Sequence, residues 1–110
     1  MNKAILLITL AGTTLFFAQC ASKKATTTTT LSPKSQAAID EVKRNYTQAQ
    51  MDEGRTIAKA SCGRCHEYHE PQEFSVAKWE QVIPPMVMKA KLSTEDGGKV
   101  RAYLISNAKS

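Results

Sequence analysis

A chain of 110 residues with a formal net charge of +5 has room for one small domain. The excess charge is not spread over that domain. From residue 36 onward eleven basic residues face ten acidic ones, a near balance that gives nucleic-acid binding no support. A folded unit of about 75 residues also buries little apolar surface, so a bound group or staple would help it.

The chain opens with Lys3 and then an uncharged, mostly apolar run of 15 residues, Ala4 to Ala18. That length suits the apolar region of an export signal and falls short of the roughly 20 residues a spanning helix needs. Residues 1–19 therefore read as a signal peptide. Phe17-Ala18-Gln19-Cys20 resembles the lipobox of bacterial lipoproteins, in which the cysteine becomes the diacylated first residue. Gln19 stands where such boxes usually carry Gly or Ala. The resemblance implies lipidation at Cys20 and an exported, membrane-anchored protein facing the periplasm or cell surface. An uncleaved signal anchor and an incidental Cys20 are the alternatives.

Residues 20–35, with five consecutive threonines at Thr26 to Thr30, read as a flexible linker. Lys23 and Lys24 suit a segment held near anionic lipid. Ser32-Pro33 can open a first helix, with proline at its first position. Ile39, Val42 and Tyr46 follow at i, i+3 and i+7, a modest apolar stripe that either docks on the domain or extends the tether.

A second helix begins after Thr47, which forms a capping-box signature with Gln50, and runs to about Ser61. Met51, Gly54 and Ala58 share one face, with Met51 as core filler. Gly54 costs roughly 1 kcal/mol against Ala in a plain helix, so a close helix crossing is expected there. A third helix begins at Ser75 and places Trp79, Val82, Ile83 and Met86 at i, i+3, i+4 and i+7. Pro84-Pro85 should end or kink it. The last helix starts at Ser93, paired with Asp96 in a second capping box, and buries Val100, Tyr103 and Leu104; Gly97 and Gly98 weaken its first turn. Nothing alternates convincingly at period two, so the fold class is all-α.

Cys62-Gly63-Arg64-Cys65-His66 sits where the second helix ends. The pattern C-x-x-C-H reads as an attachment site for c-type haem. Two thiols three positions apart can bond the two vinyl groups of one porphyrin, and the imidazole that follows is held beneath the iron as its proximal ligand. If Cys62 and Cys65 hold haem and Cys20 carries lipid, none of the three cysteines is left over. Two other readings stand beside this one. Cys62 and Cys65 could be a thiol redox pair, which usually sits on a βαβ scaffold. Cys62, Cys65, His66 and His69 could bind zinc, although structural zinc sites normally draw their ligands from separated segments.

With these residues in view, the segment from Tyr46 to Ala108 resembles the small monohaem cytochromes c. Their N-terminal helix carries a small residue and crosses a C-terminal helix bearing an aromatic, positions matched by Gly54 and Tyr103. The resemblance implies a cytochrome c-like domain over residues 36–110, with three to four short helices around one covalent haem c. Cys62 and Cys65 would form the thioethers, and His66 would ligate iron through Nε2, with the Pro71 carbonyl a candidate partner for its other nitrogen. Met86 would be the distal ligand. Pro84-Pro85 departs from the pattern just before it, which keeps Met88 and the absence of any methionine ligand open. Trp79 is core packing, with a propionate hydrogen bond as a further role, and His69 is a surface or propionate-side residue. Lys89, Lys91 and Lys99 are a solvated face that would also suit docking to an acidic partner.

The function so implied is one-electron transfer between periplasmic or membrane redox proteins, not enzymatic catalysis. A haem-based sensor with an open or labile distal site, and a dedicated haem subunit of a larger oxidoreductase, are the competing functions.

Overall fold

The computed structural model describes residues 31–110; the expected signal peptide, Cys20 with its expected lipidation, and most of the expected linker lie outside the described residues. Four helices and one short 3-10 turn make up the unit: α1 (Pro33–Asn45), α2 (Gln48–Cys62), the turn Pro71–Glu73, α3 (Val76–Lys89) and α4 (Thr94–Ser106). Among the described residues there is no strand beyond an isolated bridge between Ser75 and Lys109, and no helix is long and apolar enough to cross a membrane.

Each helix starts where a short polar side chain satisfies an orphan N–H of the first turn. Ser32 accepts from the Ser35 N–H at 3.2 Å, with Pro33 at the first helical position. Residues 33–35, counted above with the linker, are thus the first turn of α1. Thr47 and Gln50 close the full reciprocal box, at 3.2 Å and 2.9 Å. Ser75 accepts from Lys78 at 3.3 Å. Ser93 accepts from the Asp96 N–H at 3.0 Å, but the return bond expected of a capping box is missing among the described residues. Asp is one methylene shorter than the Glu or Gln that usually reaches back.

The core is a single cluster drawn from all four helices, including Val42 on α1, Ala58 on α2, Trp79 and Ile83 on α3, and Val100, Leu104 and Ile105 on α4. Helix α2 crosses α4 at Gly54, where an added Cβ would overlap the Lys99 carbonyl and lie 3.0 Å from the Val100 nitrogen. Only hydrogen fits there, which accounts for a glycine in mid-helix. Helix α1 docks on this core and does not simply extend the tether. Val42 is fully buried, and Arg101 of α4 reaches both Glu41 of α1 (2.9 Å) and Glu80 of α3 (2.6 Å).

Pro84 and Pro85 do not end α3, which continues to Lys89. Proline supplies no N–H, so the carbonyls of Glu80 and Gln81 have no donor four residues on. Both prolines and Gln81 lie on the exposed side, where water can take the freed acceptors, while Trp79 and Ile83 anchor the other side at 5% exposure each. The helix stops instead at a Schellman turn. Leu92 N–H donates to the Val87 carbonyl and Lys91 N–H to the Met88 carbonyl, both at 3.1 Å, with Lys91 held at φ 55°.

Candidate functional site

The last residue of α2 is Cys62, and the chain then turns through Gly63, Arg64 and Cys65 to His66 before the 3-10 turn at Pro71. The haem-type motif therefore straddles a helix end, with Cys62 half-buried and Cys65 and His66 exposed. The two thiols are unbridged. Burial, and after it the neighbouring Cys65, push the Cys62 thiol above its ordinary value. That is the opposite of the lowered thiol on which disulfide exchange depends. The lack of a βαβ scaffold among the described residues weighs the same way.

Two adjoining hollows open beside this turn. The inner one, of about 260 Å³, has an apolar wall that includes Ala58, Phe74, Trp79, Val82 and Leu104. The outer one, of about 610 Å³, is flanked by Arg64, Lys89 and Lys91. Cys62, His66 and Met86 line both, and Cys65 lines the outer one. Together they span the size usual for a cofactor cleft. Met86 reaches them because α3 continues through its prolines, which keeps Met86 on the same side as Trp79, Val82 and Ile83. Met88 is 78% exposed and lines neither hollow.

His66 Nδ1 lies 2.6 Å from the Glu67 carbonyl oxygen. With Nδ1 as the donor, Nε2 keeps its lone pair for a metal. The Pro71 carbonyl, the partner suggested by resemblance, instead accepts from the Trp79 indole N–H at 2.7 Å. That buried bond also engages the donor that a propionate would have used. His69 lines the inner hollow and pairs with Glu73 at 2.8 Å. His69 and the Glu70 N–H together hold the Glu73 carboxyl below the usual carboxylate range. Among the described residues no group of three or more His, Cys, Asp or Glu comes together as a metal-binding set, so the tetrahedral zinc reading gains nothing.

Charge around the outer hollow is one-sided. Arg64, Lys89 and Lys91 make no ion pair among the described residues, and no carboxylate lines that hollow. Lys99 does not belong to this face. Its side chain is 13% exposed, and its ammonium pairs with Glu53 at 2.8 Å and Glu95 at 2.9 Å and is held above its ordinary value by those two bonds.

Sequence reasoning did not single out Tyr68. It lines the inner hollow, and its hydroxyl donates to that of Tyr103 at 3.2 Å. The Lys59 ammonium lies 5.5 Å from its ring centroid. Burial first, then the bond to Tyr103, push the Tyr68 phenol well above its ordinary value. No periodicity marks a loop side chain of this kind.

The chemistry of this donor set suits a haem. Two thiols, an imidazole with a free Nε2 and a thioether meet at one cleft whose inner wall is apolar. No protein-family model matches the chain, and neither the curated proteins nor the solved structures compared with it give a match.

Proposed function

We propose that residues 33–110 form a c-type haem domain that carries single electrons, tethered to a membrane through lipidated Cys20. The observation that carries this reading is that Met86, on α3 and well beyond the cysteine–histidine motif in sequence, lines the same two hollows as Cys62 and His66.

In this reading Cys62 and Cys65 would hold the group covalently, and His66 and Met86 would supply a nitrogen and a sulfur donor to its iron. A haem bound there supplies a one-electron iron couple, which thioether ligation shifts toward the reduced form. His66 offers Nε2 because its Nδ1 is engaged by the Glu67 carbonyl. Phe74, Trp79, Val82 and Leu104 give the inner side an apolar wall, which would limit solvent reorganisation when charge changes. Held by two side-chain donors, such a group would serve electron transfer and not substrate binding. The cations Arg64, Lys89 and Lys91 flank the cysteine side of the cleft and suit an acidic redox partner there. The linker would raise the local concentration of such partners at the membrane surface.

The test is expression of the full chain with a c-type maturation system, then a denaturing gel stained for haem and spectroscopy of both oxidation states. Pigment that stays with the polypeptide, with a six-coordinate spectrum, supports the proposal. A colourless protein, or pigment released by acidified organic solvent, would refute it. A reduced form that takes up carbon monoxide readily would transfer the assignment to a sensor.

A further inference from the structure

Beyond the turn at residues 63–65 that follows α2, the stretch bearing His66 has little backbone support. Among the described residues no loop backbone–backbone hydrogen bond involves residues 67–69. Side chains hold it instead, and most of their contacts are local. His66 Nδ1 meets the carbonyl of the next residue, and His69 meets Glu73, four residues on. The Lys59–Glu70 pair reaches back to α2, but at 3.7 Å and with its side chains 44% and 53% exposed it constrains little. One contact differs. Tyr68, two residues after His66, is half-buried against the core and hydrogen-bonds to Tyr103, which is 8% exposed on α4. This bond joins residues 35 apart and is the long-range polar tie of the segment.

We propose that Tyr68 is the positioning residue for His66, its hydroxyl tying the loop that carries the imidazole to Tyr103 of α4. The purpose of this strut rests on the haem reading, since a ligand must be held at a fixed angle to its metal. The strut itself does not depend on that reading. Tyr68→Phe keeps the ring and its contact with the core, so removing only the hydroxyl isolates the polar tie.

The experiment is ¹⁵N relaxation on the full chain as purified, in reducing buffer, comparing the parent with Tyr68→Phe. Order parameters at residues 64–69 should fall from about 0.85 to below about 0.6, while α2 and α4 hold their values. Tyr103→Phe removes the same bond from its other end and should reproduce the fall, and the double variant should add nothing. In the oxidised, haem-loaded protein the His66 ring resonances should shift and broaden in Tyr68→Phe, whereas the Met86 methyl signal stays in place. Unchanged order parameters in both single variants would overturn the proposal. So would a uniform fall across α2 and α4, which would make Tyr68 a core residue and not a strut. If the chain carries no covalent haem, the functional reading fails, yet the relaxation data still decide the strut.

Discussion

Replacing Gly54 with alanine tests the packing on which the whole site stands. In an ordinary helix interior the change gains about 1 kcal/mol of propensity. At Gly54 the added Cβ meets the Lys99 carbonyl and the Val100 nitrogen, and neither backbone group can rotate aside. The two helices must part, loosening Met51 and Ala58 against Val100, Tyr103 and Leu104. Overpacking of this kind costs roughly 1–3 kcal/mol, and a backbone obstacle belongs at or beyond the upper end. After the propensity gain, a net loss of about 2 kcal/mol remains, a fall in Tm of about 8–16 °C for a domain of this size. Gly97→Ala is the matched control, because its new methyl meets only the Val87 side chain, with Cγ1 at 2.8 Å. Val87 lies in the last turns of α3 and can yield, so that variant should stay within about 1 kcal/mol of the parent. Thermal and urea unfolding followed by far-ultraviolet circular dichroism reads both. A Gly54→Ala protein as stable as the parent, or less damaged than Gly97→Ala, would refute the reasoning.

The other predictions address the site and its supports. Met86→Ala should abolish the far-red sulfur-to-iron absorption band of the oxidised haem-loaded protein and lower its potential, while Met88→Ala leaves both unchanged; redox titration of the two decides. Arg101→Met removes the paired bonds to Glu41 and Glu80, should cost about 1–2 kcal/mol, and should expose α1 to limited proteolysis that spares the parent. The Tyr68 phenol is held above its ordinary value of 10.0, so its contribution is fully present below that pH and lost as pH rises through the shifted value. Tyrosinate absorbance should therefore show a late-ionising step that Tyr68→Phe removes. Lys91→Gly relieves a left-handed residue at the end of α3 and should raise stability by about 1 kcal/mol in urea melts.

What could be read from the chain was what depends on neighbours in sequence. Ser32, Thr47, Ser75 and Ser93 cap helices through bonds to residues three positions on, and Gly54 marks a crossing because no local reason for it exists. Met86 falls on the Trp79 side of a continuous helix by spacing alone, and the same helix sends Met88 to solvent. What could not be read depends on distant partners. The prolines of α3 are tolerated because their side of the helix meets water while Trp79 and Ile83 are held in the core, a balance invisible to a rule about proline. Lys99 belongs as much to Glu53 on α2 as to Glu95 on its own helix. Tyr68 finds Tyr103 only once the helices have been brought together.

The paired prolines of α3 leave a ladder short of two adjacent rungs, between its Trp79 half and its Met86 half. One half is locked by the buried indole; the other hangs from fewer bonds than its length would ordinarily provide. If Met86 holds the haem iron as proposed, a joint there would let its sulfur adjust to the metal without dragging Trp79 along. Rigidity and adjustment are thus divided along a single rod.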